Sequence, residues 1–199
     1  MKNDNLKILG ASNHSITERE SNDYYATPPI AVQELLKREN FDKECVLEPA
    51  VGGGHIAEFF KEKQVIGYDI IDRGYPNTIV KDFLTVTKEE LPKSYDIITN
   101  PPYDRKILVP FVEHCIDISP EDTKIAMLLK LQFLESEKRY LKILKEHPPI
   151  RVHIFVKRIY CYKNGIPLDE KGAICYCWYI WDKKEKDYST TIDWIYQKE

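Results

Sequence analysis

Short apolar strands alternating with helical stretches predict an α/β fold, and a glycine cluster directly after the first of those strands supports it. An aromatic, β-branched tail completes the pattern. The expected architecture is a doubly wound, Rossmann-like sheet, mostly parallel, with helices on both faces and an antiparallel C-terminal hairpin on its edge. At 199 residues the chain is expected to form one domain over residues 23–199. The polar, aperiodic residues 1–22 are expected to form a flexible arm.

The elements follow in order. Thr27 is placed as an N-cap and Pro28 at the first helical position, with Ile30, Val32, Leu35 and Leu36 forming an apolar stripe to about Glu39. Cys45-Val46-Leu47-Glu48 reads as a strand broken by Pro49, and Gly52-Gly53-Gly54 opens a second helix to about Lys63. Strands are expected at 65–69, 78–82, 95–99 and 124–131, with helices at 108–118 and 135–146. Arg151–Tyr162 and Ala173–Asp182 supply the hairpin, turning near Gly165.

Composition narrows the function. No apolar run approaches the ~20 residues that span a bilayer, and the N-terminus lacks the apolar core of a leader segment. Five scattered cysteines, an odd number, fit reduced thiols in a cytoplasm. Net charge is −3, yet residues 124–163 carry ten basic side chains against three acidic. That segment is a candidate polyanion-facing surface, with a solvated helix face of Glu–Lys pairs as the alternative over 135–145.

Two sites carry the chemistry. Glycines at 52–54 let backbone approach a ligand. Asp69, 21 residues after Glu48, stands where doubly wound folds hold ribose hydroxyls. Neither G-x-G-x-x-G nor a triphosphate-binding loop is present, and Glu48 at the strand end repels a pyrophosphate but attracts a cation. S-adenosylmethionine, with a sulfonium, an α-amino group and no phosphate, suits that loop. At Asn100-Pro101-Pro102-Tyr103 two prolines stop a strand, because neither donates to a ladder. Asn100 and Pro101 each precede a proline and stay extended, offering an amide oxygen, a backbone carbonyl and an aromatic ring. That set suits a planar group bearing an NH2.

Together these segments resemble the class I S-adenosylmethionine-dependent methyltransferases of the adenine-N6 type, most nearly the gamma-ordered DNA methyltransferases and their small phage-like relatives. Asp23-Tyr24-Tyr25-Ala26-Thr27-Pro28-Pro29, LEPAVGGG at 47–54, Gly67-Tyr68-Asp69-Ile70, Lys81-Asp82-Phe83-Leu84 and Asn100-Pro101-Pro102-Tyr103 match the family's motifs in its order. The resemblance covers residues 23–103. It implies that Tyr25, Thr27 and Pro28 lie near the methionine moiety, and Glu48, Pro49, Gly52 and Gly54 near its amino group. It further implies that Asp69 holds the ribose, Ile70 packs on the cofactor adenine, and Asp82 with Phe83 reads its amine. Asn100 and the Pro101 carbonyl would accept the two N–H bonds of the target amine, with Tyr103 stacked on its ring and no metal involved. Protein-glutamine methyltransferases carry the same four residues, so RNA adenine and a protein glutamine amide stand as alternative acceptors. A degenerate protein that binds cofactor or nucleic acid is the alternative outside enzymes. DNA is the expected partner through residues 124–163, and no separate target-recognition domain is expected. Tyr160, Tyr162 or Phe155 is the expected late aromatic facing the target base. Cys175 and Cys177 are read as packing thiols, His55 as a loop residue, and Trp178, Trp181 and Trp194 as core or interface.

Overall fold

The computed structural model describes residues 24–163, 174–185 and 189–197. The N-terminal arm, Asp23 and the Gly165 turn lie outside them.

Eight strands form one sheet. In chain order they are β2 (Cys45–Glu48), β3 (Gln64–Asp69), β4 (Ile79–Val80), β5 (Asp96–Thr99), β6 (Lys124–Lys130), β7 (Arg151–Phe155), β9 (Tyr176–Asp182) and β10 (Thr191–Ile195). Two short strands, β1 (Tyr25–Ala26) and β8 (Tyr162–Lys163), pair antiparallel in a separate ribbon. The large sheet runs β10-β7-β9-β6-β5-β2-β3-β4, parallel throughout except for β9. Strands β2 and β5 are buried at every position, as central parallel strands covered on both faces must be.

Alternation along the strands sends side chains to two cores. Ile97, Ile125, Met127 and Leu129 pack with Val109, Val112, Cys115 and Ile116 of α2 (Leu108–Ile118). Ile143 joins them from α3, which begins at Glu137–Arg139 and continues as a π-type turn over Tyr140–Leu144. On the opposite face Ile98, Ala126 and Leu128 pack with Ala31, Val32 and Leu35 of α1 (Pro29–Leu36). Trp178 anchors that face, fully buried, its indole N–H donating to the Ala31 carbonyl at 2.8 Å.

Several expectations shift. Helix α1 starts one residue late: Pro28 is the extended N-cap and Pro29 the first helical residue, with no side chain capping. Pro28 itself precedes a proline and is thereby barred from helical backbone. The stretch after the glycines is only a 3-10 turn, Ala57–Phe60, because three consecutive glycines make a costly helix start. Strands β7 and β9 pair antiparallel as expected, but β9 inserts between β6 and β7 instead of extending the edge. Its apolar run matches β6 over seven residue pairs, from Lys124↔Asp182 to Lys130↔Tyr176. The edge belongs to β10, parallel to β7, and there Trp194 is 61% exposed and fills no core.

The end of the sheet where β6 and β7 begin is closed by Glu39. This carboxylate is 3% exposed and accepts from Arg151 Nε (2.5 Å), Lys124 Nζ (3.0 Å) and His153 Nε2 (3.0 Å). Burial pushes its carboxyl up, but those hydrogen bonds outweigh it and bring the carboxyl down to about 2.

Candidate functional site

The opposite edge of the sheet gathers the residues singled out by sequence. Strands β3, β2 and β5 are neighbours, all parallel, so Asp69, Glu48 and Asn100 emerge side by side at their C-terminal ends. The chain winds from β2 out to β4 and returns to β5, which makes the β2–β5 junction the point where winding reverses. Doubly wound sheets bind their ligands there.

The glycine loop is held from both sides. Gly52 N–H donates to Asp69 Oδ2 at 2.9 Å, and Ile71 N–H donates to Oδ1 at 3.1 Å. From the other side, the Tyr24 hydroxyl accepts from Gly53 N–H at 2.9 Å and meets His55 Nδ1 at 2.7 Å. Gly52 and Gly54 have positive φ values of 53° and 80°. A Cβ on Gly52 would stand 2.1 Å from the Tyr24 ring, and one on Gly54 2.1 Å from the Tyr75 ring. Only glycine fits either place.

Glu48 lies beneath this loop, 2% exposed, and its Oε2 is buried with no hydrogen-bond partner. Burial drives its carboxyl well above the usual carboxylate range; the Ala57 N–H opposes this in part and the charge of Asp69 adds to it. A buried carboxyl oxygen left unpaired is costly, and a cationic ligand group relieves that cost.

Asn100 projects from the end of β5 with its carboxamide fixed at both atoms. Nδ2 donates to the Tyr25 carbonyl at 2.9 Å and lies 3.9 Å from Cys161 Sγ; Oδ1 accepts from the Tyr103 hydroxyl at 2.6 Å. The Tyr103 hydroxyl also reaches the Leu128 carbonyl at 2.7 Å, so one proton serves two acceptors. The Tyr103 ring packs 5.8 Å from Tyr176, with Lys130 Nζ 5.2 Å from its centroid. Pro101 is buried and Pro102 half-buried beside it.

The remaining candidates divide. Thr27 and Pro28 are buried between β1 and α1, while Ile70 is 55% exposed at the end of β3. Asp82 is exposed and accepts from Leu84 N–H at 3.0 Å, capping a short turn. Phe83 is a core residue, packed among Tyr68, Phe111 and His114. Of the late aromatics, Phe155 is 2% exposed inside the α1-side core, whereas β8 brings Tyr162 opposite Ala26 and its neighbour Cys161 to Asn100. The described basic side chains of residues 124–163 are divided among several places. Lys124 and Arg151 sit at the far end on Glu39, Arg139 binds the carbonyls of Gln132 and Phe133, and Lys142 pairs with Glu113. Lys130, Lys157 and Arg158 follow β6 and β7 to the site's edge, where Arg105 and Lys106 are exposed after the Asn100 motif.

Tyr24, quoted only within a motif, His55, read as a loop residue, and Cys161 and Tyr176, given no role, all lie against these candidate residues. A lone histidine has no spacing signal, and Cys161 and Tyr176 reach Asn100 only through the fold. No group of His, Cys, Asp or Glu suited to a metal ion occurs among the described residues, and none of their helices is long and apolar enough to cross a membrane.

No family model matches the chain, and no curated protein matches it significantly. Solved structures do. A modification subunit assigned to a type I restriction enzyme of Vibrio vulnificus superposes with TM-score 0.61 at 14% identity, covering 91% of this chain and 49% of that one. The 23S rRNA methyltransferase ErmE gives 0.53 at 17% identity over 80% of this chain and 69% of its own. A protein of Listeria monocytogenes assigned as a class I S-adenosylmethionine-dependent methyltransferase gives 0.53 at 14% identity, over 85% of this chain and 64% of its own. The chain thus has the Rossmann-like fold of these proteins and spans about half the length of the first of them.

Proposed function

We propose that this chain is an S-adenosylmethionine-dependent methyltransferase that modifies the exocyclic N6 amine of adenine in DNA. One observation carries the reading. Three adjacent strand ends bring together a buried carboxyl with one unpartnered oxygen (Glu48), a second carboxyl (Asp69) and an oriented carboxamide (Asn100). The donor set fits the cofactor: Glu48 suits its ammonium and Asp69 its ribose hydroxyls, while Gly52 and Gly54 let the loop pack closely against Tyr24 and Tyr75. Pro49, Thr27, Pro28 and Tyr25 would line the methionine side, and Ile70 and Asp82 the adenine side, with Phe83 packed in the adjoining core. When bound, S-adenosylmethionine supplies an electrophilic methyl group on a sulfonium.

The chain's own part is to prepare the acceptor. An adenine amine is a weak nucleophile because its lone pair is delocalised into the ring. Asn100 Oδ1 and the Pro101 carbonyl accept its two N–H bonds, which favours a pyramidal nitrogen and stabilises positive charge as it develops. Because Nδ2 of Asn100 is held on Tyr25, the oxygen is the atom left on the acceptor side. Pro102 stiffens the turn, and Tyr103 fixes the oxygen's other flank through its hydroxyl. A base within duplex DNA must leave the stack to reach this edge, at a cost of a few kcal/mol.

A type I modification subunit among the structural neighbours supports DNA as the polymer, and ErmE makes RNA the acceptor to compare. The chain then works in the cytoplasm as a single domain over residues 23–199. The test is incubation with methyl-labelled S-adenosylmethionine and, separately, DNA, RNA and a glutamine-bearing protein. Label as N6-methyladenine in DNA is expected; label on RNA or protein alone overturns the DNA assignment, and label on none overturns the enzyme reading.

A further inference from the structure

Tyr24 occupies a place that neither the glycine loop nor the acceptor motif explains. Its hydroxyl accepts from Gly53 N–H (2.9 Å) and faces His55 Nδ1 (2.7 Å), while the Arg73 guanidinium lies 4.9 Å from its ring centroid. Burial lowers the His55 imidazole's pKa, opposed by the charge of Glu58. With either tautomer of His55, the Tyr24 hydroxyl holds two hydrogen-bond partners, Gly53 N–H and His55 Nδ1. Hydrogen bonding of the hydroxyl is thus satisfied in one orientation, and the ring is locked against Gly52, where no Cβ fits.

The next residue in the chain is Tyr25, whose carbonyl holds the Asn100 carboxamide. Tyr25 also belongs to β1, which pairs with β8 in a two-residue ribbon matching Tyr25↔Lys163 and Ala26↔Tyr162. So short an antiparallel pair is marginal by itself. The rigid point upstream of it is Tyr24.

We infer that Tyr24, locked on the glycine loop by Gly53 and His55, is a positioning residue that sets the Tyr25 carbonyl and through it the orientation of the Asn100 carboxamide. The inference rests on the methyl-transfer reading for its effect on rate, though not for its effect on Asn100. It separates two roles that a single contact with the loop would merge. A tyrosine that only shaped the glycine loop would alter cofactor affinity. One that also aims Asn100 alters the rate after both substrates are bound.

The test uses the full chain with Tyr24→Phe, which keeps the ring and removes the hydroxyl, and His55→Ala, which removes its partner. At saturating S-adenosylmethionine and saturating DNA, kcat is expected to fall ~10-fold or more for Tyr24→Phe and less for His55→Ala, since small misplacements of a reacting group cost that much. A raised KM for cofactor with kcat unchanged overturns the inference. A second readout is independent of activity: the side-chain NH2 resonance of Asn100, followed by NMR in wild type and variants. Faster solvent exchange or a shift of that signal in Tyr24→Phe is expected. A signal identical to wild type in both variants overturns the inference whether or not the wild type transfers methyl groups. Absence of transfer by wild type, with the Asn100 signal still responding to Tyr24, counts against the proposed function alone.

Discussion

Two buried glutamates nine residues apart in sequence mark opposite ends of the sheet, and they are treated in opposite ways. Glu39 is 3% exposed and Glu48 2%, so burial does not distinguish them. Partners do. Glu39 accepts from an arginine, a lysine and a histidine, and its carboxyl is brought down to about 2. Glu48 has a buried oxygen with no partner, and its carboxyl is driven well above the ordinary range. One end of the sheet is an ion network in which Glu39, just after α1, meets cationic and imidazole groups of β6 and β7, with only His153 Nδ1 left without a hydrogen bond. The other is electrostatically incomplete, and it is the end where the glycine loop and Asn100 converge. A buried carboxyl oxygen left unpartnered in an otherwise well-packed domain indicates where a cationic group belongs.

The comparison breaks most visibly at Glu39. Glu39→Ala removes the shared buried acceptor of Arg151, Lys124 and His153, leaving Arg151 on Glu185 and Lys124 on the Asn40 carbonyl, and is expected to cost about 3 kcal/mol in urea unfolding. A loss under 1 kcal/mol would mean that the network is incidental.

Acid probes the same contrast through sign. The Glu39 carboxyl is depressed in the folded state, so its contribution is present above its unfolded value near 4.5 and disappears as pH falls through about 2. That window is worth about 3 kcal/mol. Glu48 runs the other way. Its folded carboxyl is raised, so the fold loses stability as pH climbs from the unfolded value toward the folded one. Glu48→Gln should therefore leave acid stability unchanged and raise stability at neutral pH, read as Tm across pH 4 to 8. A variant less stable than wild type at pH 7 contradicts the unsatisfied carboxyl.

Ligand binding sharpens the difference further. Glu48→Gln removes the charge proposed to meet the cofactor ammonium and is expected to weaken S-adenosylmethionine binding by roughly 10- to 100-fold, the worth of one charge-assisted hydrogen bond. Calorimetry in two buffers of different ionisation heat should also show proton release on binding by wild type and less by the variant. The smallest effect concerns nucleic acid. Replacing Arg105 and Lys106 by alanine should reduce the salt slope of DNA binding by ~1 each, whereas Arg151→Ala, at the far end on Glu39, should not change it.

The sequence carried more of one end than of the other. Strands β2 and β5 were legible as short runs closed by Pro49 and by Asn100-Pro101, β3 and β6 as apolar runs between polar stretches, and helix α2 because its stripe is regular. Glu48, Asp69 and Asn100 were legible because each ends such a strand, and parallel neighbours deliver their ends to one edge. The Glu39 network was not. Its partners Arg151 and His153 lie 112 and 114 residues away, and no local pattern pairs them. The position of β9 was hidden for a related reason. Chain order suggests a hairpin at the edge, but burial of Tyr176 to Trp181 is satisfied only between two strands. Asp82 and Phe83 show the converse: the motif is intact in sequence, yet Phe83 spends its ring on the core between Tyr68 and Phe111.

The central claim is a division of labour, with Glu48 on the donor side and Asn100 on the acceptor side. It is tested most directly by measuring S-adenosylmethionine affinity and methyl transfer to DNA adenine for Asn100→Ala and Glu48→Gln side by side. Asn100→Ala is expected to lose transfer by ~10²–10³-fold or more, the scale of a lost electrostatic stabiliser, while binding cofactor nearly as wild type does. Glu48→Gln is expected to lose affinity first and to recover much of its rate at saturating cofactor. Loss of cofactor binding in Asn100→Ala, or undiminished transfer by it, would contradict the division.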